Sequence, residues 1–145
     1  MKIYLDTTIL AALTYFKDKD VKRYSECDKL IKKCNENEFN IVISFYSIHE
    51  LFLLPFEYED EKTSRKIGLS LIREVLNIHG IELIELLSRE NRIMHQNSFQ
   101  MTDRTDIPHA ISAYIEKCDC IVTYDRHFNQ ISNIIKVFEP DKIPI

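Results

Sequence analysis

Short apolar runs alternate along this chain with longer stretches in which apolar residues return every three or four positions. Ile3-Tyr4-Leu5 is an apolar run closed by Asp6 and predicts a buried strand. Thr7 or Thr8 is placed to cap a short helix over residues 9–16. Val21, Tyr24, Cys27, Leu30, Ile31 and Cys34 recur at helical spacing, so an amphipathic helix is predicted over 20–36. Its other face carries Lys22, Arg23, Lys29, Lys32 and Lys33. Residues 39–43 predict a second strand, and Ser44 caps a helix that Pro55 stops. A fourth helix is predicted over 60–78, ending near Gly80, followed by a third strand over 81–86. Ser88 caps a helix reaching about Met101. Thr105 reads as the N-cap of a helix running to Lys117, with Pro108 tolerated in its first turn. Residues 120–123 predict a fourth strand, residues 126–131 a short helix and residues 134–138 a fifth strand. Strands separated by helices predict an α/β fold whose parallel sheet is covered on both faces.

Composition narrows the chemistry. With 145 residues and 45% hydrophobic content, the chain is expected to form a single domain over 1–145 with a sizeable core. Gly68 and Gly80 are the only glycines, so a P-loop, a dinucleotide fingerprint and a nucleophile elbow are all excluded. His49-Glu50 begins like a zincin motif, but Leu53 stands where the second His is needed. The longest stretch free of Asp, Glu, Lys and Arg is the eleven residues 39–49, against roughly 20 for a membrane-spanning helix. Asp6 interrupts any signal-peptide core, so the expected location is the cytoplasm, with the four cysteines reduced and buried as small hydrophobes. The Cys118-x-Cys120 spacing is not that of a zinc knuckle. The net charge of −4 is not that of a non-specific DNA binder.

Most acids fall on polar helix faces, as Glu59, Asp60 and Glu61 do. Four do not. Asp6 and Asp125 lie just beyond the first and fourth strands, on the rim where parallel sheets bind ligands. Glu50 sits inside an apolar run and needs a partner. Asp106 opens the helix before strand four, where the helix dipole favours an anion. A right-handed crossover that reverses strand order places strand four beside strand one and brings these acids together. Two unit charges about 4 Å apart repel by about 4 kcal/mol at an effective dielectric near 20. A hard divalent cation relieves that repulsion, and Mg²⁺ or Mn²⁺ suits carboxylates unaccompanied by Cys or His. Metal held this way acts on phosphate esters. Each acid also has a plainer reading: Asp125 as an N-cap for residues 126–131, Asp106 as first-turn electrostatics, Glu50 as the partner of an Arg. Asp103 is a lesser candidate, placed at the helix start or in the loop before it.

At these residues the chain resembles the PIN-domain family of metal-dependent ribonucleases. Ile3-Tyr4-Leu5-Asp6-Thr7-Thr8 resembles the opening strand with its Asp and hydroxyl residue. The segment from Ser44 to Leu51 resembles the second strand-to-helix junction with its embedded Glu. Asp106-Ile107-Pro108-His109-Ala110-Ile111-Ser112-Ala113 matches an Asp-x-x-His-x-x-x-Ala helix, and Thr123-Tyr124-Asp125-Arg126-His127-Phe128 a Thr-x-Asp-x-x-Phe turn. Thr8 departs from the more frequent Asn or Ser. The resemblance implies a three-layer α/β/α sandwich with a five-stranded parallel sheet. It implies Asp6, Glu50, Asp106 and Asp125 as ligands of one or two Mg²⁺ or Mn²⁺ ions, with Thr7 and Thr123 as supporting hydroxyls. It also implies membership of the VapC-like toxins, homodimeric ribonucleases held inactive by a small antitoxin.

RNA approaching a negative pit needs cations at its edge. Arg104 and Arg126 are candidates, as is the basic face of the second helix. His109 is expected to be a packed, hydrogen-bonded core residue, while His127 is a minor candidate for phosphate contact. Phe45, Phe52, Leu53, Leu54 and Phe56, with Tyr15 and Phe16, offer an apolar surface for a second copy or an antitoxin helix. The alternatives are a solitary RNA-processing nuclease and a non-catalytic binding module of the same fold. A haloacid-type phosphatase is excluded because Thr8 stands where its second Asp belongs.

Overall fold

The computed structural model describes residues 1–145. Strands β1 (Lys2–Leu5), β2 (Asn40–Ile43), β3 (Ile81–Leu83), β4 (Cys120–Val122) and β5 (Lys136–Phe138) form one parallel sheet in the order β3-β2-β1-β4-β5. Strand β1 is central, with Ile3 opposite both Ile41 and Cys120. The order therefore reverses at β1, and β4 lies beside it as the crossover argument requires.

Helices α1 (Thr7–Leu13), α2 (Val21–Glu36), α3 (Phe45–Leu53), α4 (Glu61–Leu76), α5 (Arg89–His95) and α6 (Ile107–Ile115) cover the sheet. Period-two alternation splits the core. Ile3, Leu5, Ile41, Ile43 and Val122 pack beneath α1 to α4, whereas Tyr4, Val42 and Ile121 face Ala110, Ile111 and Phe128 on the other side. All four cysteines are free and buried within these layers. Burial pushes the Cys27, Cys118 and Cys120 thiols up to about 12 and Cys34 to about 11, which keeps them protonated and inert. No helix is long and apolar enough to cross a membrane.

Several boundaries differ from expectation. Strand β3 stops at Leu83 because β2 gives way to α3 at Ser44; only the Ile84 amide still reaches Ile43 O, at 3.0 Å. Helix α5 ends at His95 instead of near Met101. Asn97 and Ser98 are poor helix formers, and a non-helical chain lets Phe99 and Met101, two apart, both enter the second core layer. Ile134 and Ile135 donate to Ile131 O at 2.9 and 3.1 Å, so they complete a turn and β5 begins at Lys136. Ser44 and Ser88 cap α3 and α5 as predicted. Helix α1, however, is capped by Asp6 and not by Thr7 or Thr8. Thr105 is likewise not a cap: Asp103 caps a 3-10 turn over Arg104–Asp106, and α6 follows, ending at Ile115.

Candidate active site

The carboxyl ends of β1 and β4 are joined by more than strand pairing. The Asp6 amide donates to Val122 O at 3.1 Å, which carries the ladder one residue past β1 and sets Asp6 beside Thr123. Asp6 Oδ2 accepts from Thr123 Oγ1 at 2.8 Å, Thr8 Oγ1 at 2.9 Å and the Thr8 amide at 3.2 Å. The other oxygen, Oδ1, has no such donor and lies 3.9 Å from His109 Nδ1. The two threonines knit the site further: the Tyr124 amide donates to Thr8 Oγ1 at 3.0 Å and the Asp125 amide to Thr123 Oγ1 at 2.9 Å. Thr8, unusual in sequence, thus supplies the hydroxyl that orients Asp6.

Glu50 reaches in from α3. Its Oε2 accepts from Thr7 Oγ1 at 2.6 Å, and Oε1 lies 2.9 Å from His109 Nε2. Burial opposes its charge, but His109 and Thr7 outweigh that and hold the carboxyl below the usual range. His109 is wholly buried, and its Nδ1 lies 2.8 Å from the Tyr4 hydroxyl. Burial lowers the His109 pKa, but Glu50, Asp6 and Asp106 prevail and raise it above the ordinary value. The expectation that no His accompanies the acids is therefore wrong. Nor does Glu50 pair with an Arg. Proximity in the fold, not in sequence, joins Glu50 to His109, and the Asp-x-x-His spacing was its one legible trace.

Asp125 caps the 3-10 turn over Arg126–Ile131 through the His127 amide, 2.9 Å from Oδ1, so its plainer reading also holds. Asp103 is turned to its own Thr105, whose hydroxyl and amide donate at 2.7 and 2.9 Å and hold its carboxyl low. Asp106 is different. It is 7% exposed, makes no cap hydrogen bond, and its Oδ2 is buried without a hydrogen-bond partner. Burial, then the charges of Asp125, Asp103 and Asp6, push its carboxyl up to about 7.

Asp6, Thr7, Glu50, Asp106 and Asp125 all line one cavity of about 670 Å³. Possible ligand atoms of Asp6, Glu50 and His109 lie within 4.8 Å of one another, as do those of Asp103, Asp106 and His127. The only basic side chains within ion-pair range of the four acids are histidines: His109 near Asp6 and Glu50, His127 at 3.8 Å from Asp106 and 3.3 Å from Asp125. An orphaned buried carboxylate oxygen among acids with no Lys or Arg in ion-pair range is a donor set that fits a hard divalent cation. Arg104 and Arg126 are exposed and do not line the cavity. The arginine that does is Arg23, from the basic face of α2, with its guanidinium 4.4 Å from the Tyr124 ring centre and Nε 3.6 Å from Asp20. Ala11, Ala12, Phe16, Leu53 and Leu54 make the apolar wall.

A sequence model of the PIN domain matches residues 2–127, and the chain belongs to that family, a family of nucleases. Solved structures share its fold. VapBC2 of Rickettsia felis bound to promoter DNA aligns with a TM-score of 0.63 at 20% identity, over 96% of this chain and 98% of that one. VapBC-1 of nontypeable Haemophilus influenzae aligns with a TM-score of 0.63 at 14% identity, over 98% of this chain and 100% of that one. VapC20 of Mycobacterium tuberculosis, a sarcin-ricin loop cleaving toxin, aligns with a TM-score of 0.63 at 11% identity, over 93% of this chain and 98% of that one. No curated protein sequence matches significantly.

Proposed function

We propose that this protein is a Mg²⁺- or Mn²⁺-dependent ribonuclease that hydrolyses RNA phosphodiester bonds, and that it is the toxin of a type II toxin–antitoxin pair. The observation that carries this reading is Asp106, a buried carboxylate whose Oδ2 has no hydrogen-bond partner and which feels the charges of Asp125, Asp103 and Asp6. In an enzyme awaiting a cation such an arrangement is expected; as a purely structural device it only costs stability. Asp6, Glu50, Asp106 and Asp125 would hold the ion, with Thr7 and Thr123 fixing two of them and Asp103 at the margin. When bound, the ion neutralises the scissile phosphate and polarises its oxygen. Asp125, anchored at Oδ1, keeps Oδ2 to orient the attacking water. Arg23 at the cavity edge, with the exposed Arg126 and Arg104 outside its lining, draws in the RNA backbone.

The protein acts in the cytoplasm as a homodimer of single-domain chains. Its antitoxin lays an apolar helix face along the wall formed by Phe16, Leu53 and Leu54. The VapBC assemblies of similar fold support the partner, and the nuclease family supports the chemistry. Incubation with single-stranded and structured RNA tests the reading. Cleavage that needs Mg²⁺ or Mn²⁺ and stops with EDTA is expected; metal-independent cleavage, or none under any condition, refutes it.

A further inference from the structure

A chain of buried polar groups runs through the protein behind the acidic cavity. It begins at the Tyr4 hydroxyl on β1, 2.5 Å from Ser44 Oγ and 2.8 Å from His109 Nδ1. It continues through His109 Nε2 to Glu50 Oε1 at 2.9 Å and ends where Thr7 donates to Glu50 Oε2 at 2.6 Å. Tyr4 and His109 are both wholly buried, and the rings of Tyr4, Tyr46 and Phe128 pack around the imidazole. With both ring nitrogens engaged, His109 is poorly placed to be a metal ligand. Glu50, by contrast, keeps 36% of its side chain exposed and lines the cavity. A glutamate has three soft torsions, and each must be frozen before the carboxylate can serve as a ligand. Here His109 and Thr7 hold the two carboxylate oxygens in the folded chain.

We propose that His109 is a positioning residue: its Nε2, in a ring fixed by the Tyr4 hydroxyl, presets the Glu50 carboxylate so that an incoming divalent cation meets it already ordered. The inference rests on Glu50 belonging to the cation site proposed above. Groups that orient ligands in this way typically contribute about 10- to 100-fold to metal affinity.

The test is calorimetric titration of Mn²⁺ into metal-free protein, which needs no RNA. His109→Gln keeps a donor at the Nε2 position, whereas His109→Asn keeps one only near Nδ1. Gln is expected to retain Mn²⁺ affinity within about threefold, and Asn to lose about 10- to 100-fold, with similar melting temperatures for the two. The Asn defect should vanish in a Glu50→Gln background, because there is then no carboxylate left to orient. Equal behaviour of Gln and Asn, or tighter binding in either, overturns the proposal. Should neither variant fold, Tyr4→Phe leaves the imidazole in place and removes only its anchor. About fivefold to tenfold weaker Mn²⁺ binding is then expected, and unchanged binding overturns the proposal. Failure of the wild type itself to bind Mn²⁺ would instead refute the cation site, so the two failures are distinct.

Discussion

The two sides of the acidic cavity are built on opposite principles. On one side, one oxygen of Asp6 and both of Glu50 are held: threonine hydroxyls, an amide and an imidazole fix the two side chains. On the other, Asp106 is buried, as Asp6 is, and receives nothing at Oδ2. Two strand ends and α3 supply the first side, which is part of the sheet's own hydrogen-bonded frame. A 3-10 turn between α5 and α6 supplies the second. The contrast teaches that the fold supports some of its acids with internal donors and leaves one buried carboxylate oxygen without any.

The largest effect expected from breaking this arrangement is on activity. Asp106→Asn should lower RNA cleavage by about two to four orders of magnitude, since a cation's electrostatic contribution is worth several kcal/mol. Single-turnover cleavage assays at saturating Mg²⁺ check it.

The next effect is on stability, and its sign depends on pH. Folded Asp106 holds its proton up to about 7, against about 3.9 in the unfolded chain. Between those values the folded state binds more protons, so the Asp106 contribution is fully present below about pH 4 and is lost as pH rises through 7. Metal-free Asp106→Asn should therefore melt about 10 °C above wild type at pH 8, and the difference should shrink toward zero as pH falls to about 4. Thermal melts in EDTA read the difference, and saturating Mn²⁺ should stabilise wild type selectively.

The hydrogen-bonded side should respond in the opposite direction. Thr123→Val removes a donor to a buried carboxylate and should cost about 1.5–3 kcal/mol at neutral pH, measured by urea denaturation. A stabilising result would erase the contrast between the two sides.

The smallest effect concerns the rim. Arg23→Ala should weaken single-stranded RNA binding a few-fold and reduce the salt slope by about 0.7, whereas Arg104→Ala should change it less. Filter binding at several salt concentrations separates them.

Much of this was legible in the residues because strand ends are legible. Asp6 and Asp125 follow apolar runs too short for helices, and parallel strands present their carboxyl ends to ligands. Glu50 stood out as a charge within an apolar run. The supports were far harder to read. Tyr4 in Ile3-Tyr4-Leu5 counts as one more apolar strand residue, and nothing local says that its hydroxyl meets His109 from α6. Arg23 was one of five cations on a helix face, and only the docking of α2 selects it. The caps of α1 and of the 3-10 turn before α6 shifted because Asp-Thr pairs offer two acceptors within two residues. The end of α5 was set by what Phe99 and Met101 pack against, a tertiary fact.

The unsupported Asp106 carboxylate is most directly tested by ¹³C NMR titration of its side chain, with and without Mg²⁺. In EDTA it should titrate near pH 7, and Mg²⁺ should drive the proton off and bring the apparent value well down. An ordinary carboxyl titration near pH 4, unmoved by Mg²⁺, would contradict the cavity's need for a cation.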